Sequence, residues 1–140
     1  MSQRFTLSVN SDIQNLAEIA QFVEQAAAAS GLDRNQIYDV QMAVDEACTN
    51  VIKHAYKFDP TKEITITIKP HGRTFEVAIK DNGKQFNPSD VLPPDMKEYL
   101  THYRRGGLGI YLMKSLMDKV EYDIVPGKKN EVRLIKYLPQ

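Results

Sequence analysis

Isoleucine stands at 64, 66 and 68 with Thr65 and Thr67 between, and after His71-Gly72 the alternation resumes with Phe75, Val77 and Ile79. A period of two puts every apolar side chain of such a run on one face and every polar one on the other. Two such runs joined by a glycine turn read as a β-hairpin. Strands of a parallel sheet covered on both faces read instead as continuous apolar runs. The hairpin therefore demands a sheet with one wet face and one face that helices must cover.

The rest of the chain supplies those parts. Phe5, Leu7 and Val9 alternate with polar residues, giving a strand over about 4–9. Ser11-x-x-Gln14 has the form of a capping box and predicts a helix running to about Ser30, where Gly31 stops it. Asp33-x-x-Gln36 repeats the signature and opens a second helix that ends near Tyr56, before Asp59-Pro60. Residues 82–107 hold Pro88, Pro93 and Pro94 and show no period, so they read as a long loop, a length usually functional or disordered. Leu108, Ile110, Leu112, Met113, Leu116 and Met117 then recur at helical spacing, and strands over about 120–125 and 131–138 flank Pro126-Gly127. The order is β-α-α-β-β-loop-α-β-β. The expected fold class is α+β: a two-layer α/β sandwich, a mixed, mostly antiparallel sheet with three helices on one face, in one domain over 1–140.

Composition narrows the function classes. Eighteen basic side chains balance eighteen acidic ones, which argues against broad, non-specific nucleic-acid or anionic-membrane binding, since that needs excess positive charge on one face. No stretch approaches the roughly 20 apolar residues of a membrane span. The start, Met1 to Phe5, has no apolar signal core, and the single Cys48 fits a reducing compartment. A cytoplasmic protein is expected.

Three polar motifs remain after the core is assigned. On the second helix Ile37, Val40, Val44, Ala47, Val51 and Ala55 form the apolar stripe, centred near 320° on the wheel. Glu46 and Asn50 fall at about 180° and 220° at ~100° per residue, one turn apart and well off that stripe. A carboxylate stacked on an amide oxygen can hold a hard cation or set a base beside a bound metal. Asp81-Asn82-Gly83 closes a hairpin strand, where Asp81 can accept from an amino group and Gly83 permits positive φ or a close backbone approach. Arg104-Arg105-Gly106-Gly107-Leu108-Gly109 leads into the third helix, where free N–H groups and arginines suit a phosphate. Each motif alone also has a plain structural explanation: a solvated helix face, a common turn and a hinge. No G-x-x-x-x-G-K-[ST], dinucleotide fingerprint, or kinase H-R-D and D-F-G set is present.

Taken in order and setting, the three motifs resemble the ATP-binding fold shared by gyrase, Hsp90, sensor histidine kinases and MutL. Within it, the run Glu46-Ala47-Cys48-Thr49-Asn50-Val51-Ile52-Lys53-His54-Ala55-Tyr56 is similar to the bacterial anti-sigma-factor serine/threonine kinases, as is Gly106-Gly107-Leu108-Gly109. The resemblance implies Glu46 as general base towards a protein hydroxyl and Asn50 as a ligand of Mg²⁺. Asp81 would bond the adenine amino group of ATP, with Gly83 giving the base room. Residues 87–105 would form a lid, and Gly107, Gly109 and Arg105 would meet the phosphates. Lys53 lies one turn from Asn50 and either faces phosphate or is a surface lysine. The implied partners are a sigma factor, an anti-sigma-factor antagonist that accepts the phosphate, and a second copy in a homodimer. The other reading is a nucleotide-binding regulatory module that captures partners without transferring phosphate. His54, His71 and His102 lack ligand-spaced neighbours, so no zinc site is expected, and Cys48 reads as a packed thiol.

Overall fold

A computed structural model describes residues 3–83, 107–125 and 128–138. Its elements follow the expected order: β1 (Phe5–Asn10), α1 (Leu16–Ala29), α2 (Arg34–Asn50), β2 (Glu63–His71), β3 (Thr74–Asp81), α3 (Gly107–Leu116), β4 (Lys119–Val125) and β5 (Lys129–Tyr137). A 3-10 turn, Ile13–Asn15, precedes α1, and a π turn, Val51–Ala55, prolongs α2. The 87–105 segment expected as a lid, Arg105 and His102 lie outside the described residues.

The five strands run β1-β2-β3-β5-β4, and all four pairings are antiparallel. From α3 the chain enters edge strand β4, and β5 returns between β4 and β3. The hairpin register follows the period of two. Ile64, Ile66 and Ile68 are fully buried opposite Val9, Leu7 and Phe5, while Thr65 and Thr67 point to the other face half-exposed. That second face is polar out to β4, where Arg133 reaches Glu131 at 2.8 Å, Glu121 at 3.6 Å and Asp123 at 3.7 Å. These pairs are half-buried at the sheet surface, where such pairs add little stability. The core lies on the helix side and is built on α2, whose Val40, Ala43, Val44, Ala47 and Cys48 pack between the sheet, α1 and α3. Cys48 is inside this core with no exposure, as a packed thiol, and burial pushes its pKa up.

The helix ends are specified locally. Asp33 Oδ1 accepts from Gln36 N at 2.8 Å and Gln36 Oε1 from Asp33 N at 2.9 Å, which is the expected capping box. Gly31 adopts φ +89°, Leu32 N donates to Ala27 O and Gly31 N to Ala28 O, and α1 ends in a Schellman turn. The box expected at Ser11 moves one residue on: Asp12 caps the 3-10 turn, its Oδ1 accepting from Gln14 N at 2.9 Å. The cause is the sheet, because the Ser11 amide still donates to Lys62 O at 2.8 Å and keeps the chain extended past β1. At the far end of the helices, Lys136 Nζ on β5 donates to Leu116 O at 2.8 Å and reaches Asp39 Oδ2 at 3.4 Å, joining α3 to α2. A cation at the last carbonyls of α3 also suits its dipole.

Removing the cap tests this local specification. Asp33→Ala is expected to cost about 1 kcal/mol. In urea that lowers the unfolding midpoint by about 0.3–1 M at unchanged slope, and an unchanged midpoint would show that tertiary packing alone fixes the start of α2.

Candidate functional site

Asp81 is the last residue of β3 and continues its inward register after Phe75, Val77 and Ile79, so the strand pattern drives a carboxylate into the core edge. It is 5% exposed. Oδ1 accepts from Gly83 N at 2.8 Å and from Asn130 Nδ2 at 3.0 Å. Burial pushes its pKa up, and these two bonds pull it part of the way back. Asn130 stands directly across from Asp81 on β5, inward with Val132 and Leu134, and its Nδ2 also lies 3.4 Å from Gly83 O.

Gly83 has a packing reason to lack a side chain. A Cβ there would meet Ala55 O at 2.6 Å and Tyr56 Cδ1 at 2.8 Å. Of the two reasons the sequence allowed, close approach is the one realised, since its φ is not positive. The backbone approached is the end of the π turn. Tyr56, 6% exposed, closes that turn: its N–H donates to Val51 O at 2.9 Å, while its hydroxyl donates to Glu63 O at 2.6 Å and accepts from Asn82 N at 2.8 Å. Single π turns in helices are frequently found at functional sites.

Asp81 and Asn50 line one cleft, open to solvent, together with Ile79, Met113, Tyr122 and Val132. Asn50 is half-buried at the last position of α2. Glu46, one turn earlier and also half-buried, is not among the lining residues. Its pKa is raised first by burial and then by Asp45, with Lys53 acting in the opposite direction. Lys53 is exposed on the π turn, outside the cleft lining. Gly107 and Gly109 sit in the first turn of α3, which packs against α2 and lends Met113 to the cleft. The structure thus brings Asn50 and Asp81 together, with Gly83 behind Asp81.

Two residues of this arrangement escaped the sequence reading. Nothing local marks Tyr56, a tyrosine whose partners lie on two other elements. Asn130 carries a usable signal: once β5 starts at Lys129, it is the polar member of an otherwise apolar inward register. Among the described residues no three His, Cys, Asp or Glu side chains are placed to hold a metal, and no helix is long and apolar enough to cross a membrane.

The chain matches the histidine kinase-like ATPase domain family over residues 9–136. Serine-protein kinase RsbW of Bacillus mycoides is 31% identical over 140 residues, which span 97% of this chain and 86% of that protein. Serine-protein kinase RsbW of Bacillus licheniformis is 37% identical over 105 residues, 72% of this chain and 66% of that protein. Among solved structures, the RsbU and RsbW domains of a Mycobacterium tuberculosis protein give a TM-score of 0.68 at 13% identity, covering 99% of this chain and 33% of that one. The histidine kinase AdeS of Acinetobacter baumannii gives 0.52 at 11%, covering 100% of this chain and 68% of that one. At these identities the two structures speak to the fold alone.

Asp81→Asn separates stability from ligand recognition. Because the folded carboxyl titrates above its unfolded value, its ionisation opposes folding above the folded pKa, and this opposition disappears as pH falls through that value. Asparagine keeps Oδ1 as an acceptor for Gly83 and Asn130 and carries no charge. The variant is expected to melt at or above the parent temperature at pH 7, with the difference shrinking towards pH 4. A melting temperature well below the parent at pH 7 would mean that the charge itself holds this corner together.

Proposed function

This chain belongs to the histidine kinase-like ATPase family and, within it, to the group of serine-protein kinases named RsbW, and from that we propose an ATP- and Mg²⁺-dependent protein serine/threonine kinase that is also an anti-sigma factor. Its phosphate acceptor would be an anti-sigma-factor antagonist, and its second partner a sigma factor that it sequesters in the cytoplasm as a homodimer. The observation that carries the reading is the shared cleft of Asp81 and Asn50.

The chemistry of the lining suits an adenine nucleotide. Apolar walls from Ile79, Met113 and Val132 suit a flat heteroaromatic base, and the buried Asp81 carboxylate at their end suits an exocyclic amino group. Since Gly83 and Asn130 occupy Oδ1, Oδ2 is the oxygen assigned to that amino group. Asn50, at the end of α2, is the assigned protein ligand of Mg²⁺, a role an amide oxygen can fill when phosphates and water supply the rest. When bound, the metal neutralises charge on the transferring phosphoryl group. Backbone N–H groups at the start of α3, with Gly107 and Gly109, are assigned to the phosphates. Arg105 retains its assignment to the phosphates from the sequence.

In the transfer step the acceptor hydroxyl oxygen forms a bond to the γ-phosphorus as the bond to the β,γ-bridging oxygen breaks, and ADP leaves. Glu46 is the group proposed to take the hydroxyl proton. A raised pKa makes it a stronger base. The exposed Lys53 tunes this base, since its charge lowers the Glu46 pKa.

Glu46→Gln should keep ATP affinity within about twofold and slow phosphate transfer to a purified antagonist by about 10²–10⁴-fold. Parent-level transfer by that variant would remove Glu46 from the chemistry, and ATP binding by the parent without any transfer would favour the non-catalytic module. Lys53→Ala should move the acid limb of the kcat–pH profile to higher pH, because the charge opposing protonation of Glu46 is gone. A limb that stays in place would show that another group controls it.

A further inference from the structure

Tyr56 lies outside the cleft lining, yet its contacts run to both sides of the proposed nucleotide site. Towards α2 it terminates the π turn that begins just after Asn50, through its N–H bond to Val51 O. Towards β3 its hydroxyl accepts from Asn82 N at 2.8 Å, and its ring edge is the surface on which Gly83 lies. Asn82 and Gly83 are the two residues that follow Asp81, and Gly83 N is itself a donor to the Asp81 carboxylate. The hydroxyl proton is spent on Glu63 O at 2.6 Å, so its direction is fixed and the lone pair that meets Asn82 is fixed with it.

We propose that Tyr56 is a positioning residue for base recognition: its hydroxyl, clamped between Glu63 O and Asn82 N, holds the 81–83 corner so that Asp81 Oδ2 meets an exocyclic amino group. The inference rests on the nucleotide reading above and adds a determinant of which purine is taken. Without the hydroxyl, Asn82 N–H and Glu63 C=O lose their common partner and the corner relaxes. Gly83 N then no longer fixes Oδ1, and the carboxylate loses its aim. A ring held only by packing would leave that aim intact. Tyr56→Phe removes one oxygen and nothing else, so it discriminates between the two roles.

The test compares magnesium ATP with magnesium ITP, which carries a carbonyl oxygen where adenine has its amino group. Calorimetric affinities are measured for the parent, Tyr56→Phe, Asp81→Asn and the double variant. The parent should prefer ATP by about tenfold or more, the scale of one hydrogen bond to a charged group. Tyr56→Phe should shrink that preference about three- to tenfold, as expected for a misaimed contact. In the Asp81→Asn background it should shrink it no further. An unchanged ATP-to-ITP ratio in Tyr56→Phe, with only the melting temperature or both affinities lowered, overturns the proposal. A parent that binds ATP and ITP equally instead overturns the adenine role of Asp81, a separate failure that the same titration identifies. Should Tyr56→Phe not fold, an amide-to-ester replacement at Asn82 deletes the same donor without fixing φ and must give the same collapse of preference, or the proposal fails.

Discussion

A carboxylate in an inward strand position is costly unless something needs it there. Asp81 occupies such a position, and its surroundings are arranged around it: Asn130 opposite on β5, the Gly83 amide folded back on it, and Tyr56 beneath that glycine. Burial raises its pKa while the hydrogen bonds favour the ionised form, so the group sits in tension between environment and partners. Strained polar placements of this kind concentrate at functional sites. The end of the π turn, the Gly83 amide and Asn130 all meet at this carboxylate or at the residues that follow it.

The antiparallel sheet explains why the site forms where it does. Strand β3 ends at Asp81 and the inward register of β5 opens with Asn130, so antiparallel pairing places these residues across from each other although they are far apart in the chain. Helix α2 delivers Asn50 to the same cleft, and the end of its π turn lies against Gly83. Rigid elements therefore supply each proposed contact to the base and the metal, which is what precise positioning requires. The polar face of the sheet meets the cleft only at Glu131, which also pairs with Arg133 and Lys129.

Much of this could be read from the chain alone, because the relevant signals are local. The period of two in β2 and β3 gave the wet and dry faces, Asp33-x-x-Gln36 gave the start of α2, and Gly31 gave the end of α1. The Ser11 capping box failed because a neighbouring strand retained the Ser11 amide, a tertiary demand that no local pattern records. Asp81, Gly83 and Asn50 were found as motifs. Asn130 and Tyr56 were not, since their importance exists only through partners on other elements. The mode of close approach at Gly83, against Ala55 and Tyr56, was equally hidden.

Where an adenine nucleotide sits decides between these roles, and chemical shifts report that directly. Titrating isotopically labelled protein with magnesium ADP should move the Gly83 backbone amide and the Asn130 side-chain amide saturably, in step with one another. Saturable binding that leaves both of those signals unmoved while shifting others would place the base elsewhere and contradict the account.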